Sequence, residues 1–210
     1  MRRVIGFVAL TTVIGTAAAW QSDSLHAQTA PTKLTVESPV LKPDQPMPRD
    51  YTPDGRNVSP PIAWSNAPAG TREFALILED PDAGTPPPYV HWVIYKIPAT
   101  AKGLPENVPI DPSAPMPAGL AGAMQGSNGF RRNIYRGPAP PPGRPHHYHF
   151  IVYALDQQLT VKAGLTRQEL LDAMRGHILA QGEIVATYQR EGAPETAAPA
   201  GRGRGRGRGL

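Results

Sequence analysis

Apolar and polar positions alternate most clearly along residues 146–155, where His146-His147-Tyr148-His149-Phe150 runs straight into Ile151-Val152-Tyr153-Ala154-Leu155. A strand has a side-chain period of two. It therefore places His146, Tyr148, Phe150 and Val152 on one face, and His147, His149, Ile151 and Tyr153 on the other. The preceding stretch, Gly137-Pro138-Ala139-Pro140-Pro141-Pro142-Gly143-Arg144-Pro145, is too rich in proline to join a hydrogen-bonded ladder and reads as a stiff loop. A rigid loop thus delivers imidazoles and a phenol to the mouth of a strand, which is the shape of a binding site.

Residues 72–80, Arg-Glu-Phe-Ala-Leu-Ile-Leu-Glu-Asp, are almost continuously apolar and predict a central strand. Parity sets Phe74, Leu76, Leu78 and Asp80 on one side, so a carboxylate emerges at the end of a buried row and needs a partner. Asp80-Pro81-Asp82-Ala83-Gly84 turns the chain, with Asp82 expected to cap its own turn, and Thr85-Pro86-Pro87-Pro88 stiffens it. Residues 89–97 form a second strong strand, on which Tyr89, His91, Val93 and Tyr95 share a face, and His91 is expected to face Asp80. Residues 33–36 suit a short strand, and Asp54-Gly55 marks a turn before the paired prolines at 60 and 61. Residues 98–133 carry no apolar period and read as surface excursions.

The single predicted helix opens on Thr166-Arg167-Gln168-Glu169, a capping box. Its apolar stripe is Leu170, Leu171, Met174, Ile178 and Leu179, and Gly182 is expected to end it, with His177 on the helix. Residues 183–188 return as a last strand.

With 26 prolines and 21 glycines among 210 residues, the composition suits a mainly β, loop-heavy fold, and the length suits one well-buried domain with extensions. There is no cysteine, which excludes disulfides, thiol nucleophiles and thiolate metal sites. Arg2 and Arg3 precede an uncharged run over 4–20, the pattern of an export signal. The competing reading is an uncleaved anchor, but the run is short and weakly apolar for spanning. The expected organisation is a signal peptide over 1–30, a domain over 31–190, a disordered Gly/Arg-rich tail over 191–210, and a periplasmic or secreted location. The net charge of +4 sits at the ends. Residues 31–190 hold 15 basic and 14 acidic side chains, so nothing in the body asks for nucleic acid. The four tail arginines after 193 offer weak, salt-sensitive contact with anionic surfaces.

Tyr51-Thr52-Pro53-Asp54-Gly55 through Ser59-Pro60-Pro61, Asp80-Pro81-Asp82-Ala83, Val90-His91-Trp92, Gly137-Pro138, His146-His147-Tyr148 and Gly176-His177-Ile178-Leu179-Ala180 together resemble one family. It is the phosphatidylethanolamine-binding proteins, in the bacterial branch called Raf kinase inhibitor-like. The resemblance spans 34–190. It implies a β-sandwich with a large central antiparallel sheet, proline-rich loops and one or two short helices. It also implies a small pocket for phosphate or phosphoryl-ethanolamine head groups, with Asp80 and His91 on one wall, His146 and Tyr148 on the other, Gly137 and Pro138 in the adjoining loop, and Tyr89 near the rim. The chain differs from the family pattern at Arg131 and Ile134, where glycines stand, and at Gly84, where a proline stands. Arg131 or Arg132 would add positive charge near the mouth.

The chemistry of these residue types agrees. Imidazolium N–H, a tyrosine hydroxyl and backbone N–H groups around a glycine loop all donate to oxyanions. Asp80 is expected to orient His91, fix its tautomer and raise its pKa, so that anion binding strengthens as pH falls. The resulting reading is an exported, non-enzymatic binding protein for a small anion or phospholipid head group that needs no cofactor. It leaves room for a partner protein and for a homodimer through the exposed sheet or loops. Kinase inhibition, known in the family, has no cytosolic target to meet in an exported chain. The rival is a metal-dependent enzyme built on His147-x-His149, a genuine ligand spacing on one strand face that lacks an identifiable third ligand. A serine hydrolase is disfavoured because no Gly-x-Ser-x-Gly elbow occurs.

Overall fold

The computed structural model describes residues 32–84, 88–111 and 114–192. The expected signal peptide, the tail beyond 192 and the proline loop at 85–87 lie outside the described residues. The ordered elements are β1 Thr32–Lys33, β2 Thr35–Glu37, β3 Ile62–Ser65, β4 Glu73–Asp80, β5 Tyr89–Pro98, β6 Gly103–Leu104, β7 Met124–Gln125, β8 His146–Leu155, α1 Arg167–Met174 and β9 Ile178–Tyr188. Three short 3-10 segments, Arg49–Tyr51, Pro81–Ala83 and Ala118–Leu120, join them.

Six strands form one sheet in the order β1-β9-β8-β4-β5-β7, and β2-β3-β6 form a second. Every pairing is antiparallel except β1 with β9. The fold is thus mainly β, a large sheet faced by a small one. β4 lies between β8 and β5 and is buried at all eight positions, which is why its sequence hardly alternates. Phe74, Leu76 and Leu78 point into the core between the sheets with Trp64, Trp92, Tyr148 and Phe150. Ala75 and Ile77 point the other way, into a second core with Val93, Tyr95, Leu170 and Met174 beneath α1.

Four expectations change. Residues 33–36 are not one strand: β1 pairs with the large sheet and β2 with the small one. Residues 98–133 are not all surface, since β6, β7 and the buried Leu104, Val108 and Leu120 close the inter-sheet core. The capping box at Thr166 and Glu169 forms, yet α1 stops at Met174, because Gly176 takes a left-handed φ of 82° that ends the helix. Ile178 then opens β9, and Gly182 sits within that strand rather than at a helix end. A Cβ there would lie 2.2 Å from the Leu34 carbonyl oxygen, so this glycine admits the chain between β1 and β2.

The fourth change matters most for the site. Leu78 pairs with Trp92 and Glu79 with Val90, which leaves His91 as the extra residue of a β-bulge. The expected shared face of Tyr89, His91, Val93 and Tyr95 is therefore broken. Val93 and Tyr95 enter the core under α1, whereas the His91 ring turns to the other face and meets Tyr148 at 5.3 Å between centroids.

Candidate functional site

At the β4–β8 end of the large sheet, strand parity holds. Asp80 and His146 meet on the inner face, each under a tenth exposed, with the His146 Nδ1–H donated to Asp80 Oδ2 at 2.8 Å. The second Asp80 oxygen accepts the Asp82 backbone N–H at 2.8 Å and so closes the Pro81–Ala83 turn. Asp80, not Asp82, is the cap of that turn. Asp82 reaches across instead, accepting from the His147 backbone at 2.9 Å, from its ring at 2.7 Å and from Arg144 at 3.0 Å. The His147 hydrogen bond is the main cause that lowers the Asp82 carboxyl to about 2.

His91 is not held by Asp80. Its Nδ1–H donates to the Arg136 carbonyl at 2.9 Å, while the Arg136 N–H donates back to the His91 carbonyl at 3.1 Å. Only 4% of His91 is exposed. Burial lowers its pKa, and the opposing effects of the Arg136 carbonyl and the Asp80 charge do not offset this. The expected upward shift is therefore reversed, because burial outweighs the pull of Asp80, whose carboxylate is bonded to His146 instead. Both rings nonetheless present Nδ1 as donor to an oxygen of the protein, which fixes their orientation.

Tyr148 stands between the two imidazoles, its ring edge-on to His91 and stacked on His146 at 6.5 Å. Its hydroxyl is buried and lacks a well-formed hydrogen bond. Burial, reinforced by the Asp80 charge, raises its pKa, so it remains a neutral donor. Tyr89 is half-buried and packs edge-on against His91 at 5.4 Å and Phe130 at 5.3 Å.

Gly137 and Pro138 are buried and cross over the 51–57 segment. Gly137 N–H donates to Asn57 Oδ1 at 2.9 Å, the Tyr135 hydroxyl donates to the Tyr51 carbonyl at 2.6 Å, and a Cβ on Gly137 would lie 2.0 Å from that same carbonyl oxygen. The backbones touch there, which only glycine permits. The five residues Asp80, His91, His146, Tyr148 and Tyr89 thus gather, and Gly137 and Pro138 join them through Arg136.

Three residues of this region carried no signal in the strand pattern. Asn128 is buried, and its amide donates to the Ile134 carbonyl at 2.9 Å while its Oδ1 accepts from the backbones of Phe130 and Arg132. It closes the 128–135 loop, whose Ser-Asn-Gly start is a turn signature. Phe130, 38% exposed, and Arg136 stand beside His91. Arg131 and Arg132 are exposed, Arg131 with a left-handed φ of 60°.

His147 and His149 occupy the opposite face. His147 is bound to Asp82, and His149 to Glu183 at 2.9 Å. His177 lies beyond α1 and pairs with Asp156 at 3.0 Å. Among the described residues no group of three or more His, Cys, Asp or Glu stands together as a metal cage. A groove of about 650 Å³ lined by Arg49, Asp54, Tyr188 and Arg190 adjoins the site, since Tyr188 is the cross-strand partner of His146. Its Asp54 is filled by Arg190, with bonds of 2.6 and 2.8 Å, and by the Tyr188 hydroxyl at 2.8 Å.

Residues 37–189 match the family model of the phosphatidylethanolamine-binding protein. The chain belongs to that family. Similar family members include the UPF0098 proteins of Methanothermobacter thermautotrophicus, 41% identical over 69% of this chain and 91% of that one, and of Aquifex aeolicus, 40% identical over 75% and 90%. Among solved structures, Escherichia coli YbcL, described as a member of the mammalian family, is similar with a TM-score of 0.69 and 30% identity, covering 76% of this chain and all of that one. A family homologue from Chlamydia trachomatis has a TM-score of 0.65 and 32% identity, covering 76% of this chain and 99% of the other.

Proposed function

We propose that this family member is an exported, non-enzymatic binding protein whose site takes phosphate or a phosphoryl head group, free or lipid-borne, and that it acts on a partner protein. The observation that carries the reading is the arrangement around Tyr148. Two histidines flank it, each with Nδ1 engaged by an oxygen of the protein, and its own buried hydroxyl lacks a well-formed partner. An unfilled polar atom in a buried site calls for a polar ligand, since leaving it dry is costly. Within the Asp80, His91, Gly137, Pro138, His146, Tyr148 and Tyr89 set, the Tyr148 and Tyr89 hydroxyls are donors an oxyanion accepts, and the two imidazoles become donors at Nε2 on protonation. Asp80 orients His146, and Gly137 and Pro138 shape the adjoining loop. Export rests on the sequence of residues 1–30. The metal-dependent reading has no comparable support, because His147 and His149 each hold a different carboxylate.

Calorimetric titration with inorganic phosphate, phosphorylethanolamine and phosphatidylethanolamine vesicles tests the site and separates free from lipid-borne ligand. Saturable binding to the first two, lost in His146→Gln, is expected, whereas binding to none would refute the reading. Amino-terminal sequencing of the chain recovered from outside the cytoplasm tests export.

A further inference from the structure

The side chains that gather in the site, Asp80, His91, His146, Tyr148 and Tyr89, lack a committed positive charge for the anion. Asp80 is an acid paired with His146, burial favours neutral His91, and Tyr148 is a neutral phenol. An oxyanion facing only these groups would meet a carboxylate with little to offset it.

Arg136 changes that balance. Its backbone clamps His91 through two hydrogen bonds, so its side chain starts at the wall of the site. The guanidinium carbon lies 4.5 Å from the Phe130 ring centroid, and Phe130 in turn packs edge-on against Tyr89 and against His91 at 6.3 Å. No carboxylate pairs with it among the described residues, and its Nε is buried without a hydrogen-bond partner. Arg56, Arg144, Arg167, Arg175 and Arg190, by contrast, each hold an acid. A half-buried guanidinium with an unfilled donor is expensive unless an anion completes it, and the ring beneath it compensates only in part.

We propose that Arg136 is the charged donor that binds the phosphoryl oxygens in this site, and that Phe130 is a positioning residue that holds the guanidinium plane. The inference rests on the anion-site reading above. A guanidinium suits it because its N–H edge matches two oxygens of a tetrahedral oxyanion at once.

The test titrates the full chain with inorganic phosphate and with phosphorylethanolamine, comparing wild type, Arg136→Gln, Arg136→Lys and the remote Arg175→Gln. Arg136→Gln is expected to weaken both ligands about 10- to 100-fold, Arg136→Lys to fall in between, and Arg175→Gln to match wild type. In labelled wild-type protein the Arg136 Nε–H resonance, assigned by through-bond correlation to its own backbone, is expected to shift when phosphate is added. That second readout stands even if a variant fails to fold. Undiminished binding by Arg136→Gln, a loss confined to phosphorylethanolamine, or an unmoved Nε–H resonance while wild type binds would each overturn the proposal and leave the anion-site reading in place. A wild-type chain that binds neither ligand overturns both.

Discussion

Asp80 and His146 form a buried pair, with His146 Nδ1 2.8 Å from the carboxylate, in which the acid also ties down its own turn through the Asp82 N–H. One side chain therefore joins the end of β4, the turn after it and the start of β8. Asp80→Ala strands two donors and removes the imidazole's partner, and it is expected to cost about 3 kcal/mol in denaturant unfolding. Asp80→Asn keeps an oxygen for the turn and should cost roughly half as much. Equal, small losses for both variants would show that the pair does not organise this end of the sheet.

Burial lowers the His91 pKa, and the sign of the consequence follows from linkage. The unfolded chain takes up a proton near pH 6.5, while folded His91 does so only at lower pH. Stability is complete above about 6.5 and falls as pH drops from there toward the folded value. Denaturation midpoints at pH 8 and 5.5 should show this fall, and His91→Gln should lessen it. Sulfate keeps its charge over this range, so its affinity reports the protein alone. It should be flat near and above pH 6.5 and rise only as pH falls further, toward the lowered value at which folded His91 gains a proton on Nε2 and becomes a donor there. A sulfate affinity independent of pH would contradict the role given to His91.

Gly137 tests the backbone contact that holds the proline loop. Gly137→Ala sets a methyl 2.0 Å from the Tyr51 carbonyl oxygen, so the two segments must part and the Asn57 bond is lost. The expected cost is about 2 kcal/mol, with weaker phosphate binding because Arg136 and His91 move with the loop. Wild-type stability and binding in this variant would show that the crossing is slack.

Much of the site could be read from the chain because it lies on strands whose parity is regular. Asp80 at the end of the Phe74, Leu76 and Leu78 row, and His146 with Tyr148 on the inner face of β8, follow from a period of two alone. His91 escapes that rule because one extra residue in β5 turns it over, and a bulge has no signature in a run of apolar side chains. The choice of His146 over His91 as the Asp80 partner depends on that same bulge. Gly182 was legible as a special position but not as a strand glycine, since only the approach of Leu34 gives it a reason. Arg136 hid beside the glycine-proline loop, and its lack of an acid is visible only once the chain is folded.

The outer histidines provide a contrasting variant. With His147 tied to Asp82 and His149 to Glu183, the double change to alanine should leave phosphate affinity within about twofold and bound metal unchanged by elemental analysis. Stoichiometric metal lost in that variant but kept in His91→Ala would revive the metal-site reading.

The most direct measurement follows the imidazole resonances of the wild-type protein as phosphate is added at constant pH. The account predicts that the Nε2 signals of His91 and His146 shift together and saturate at one ligand per chain, while those of His147, His149 and His177 stay put. Saturable shifts at His147 and His149 with His91 and His146 unmoved would contradict it.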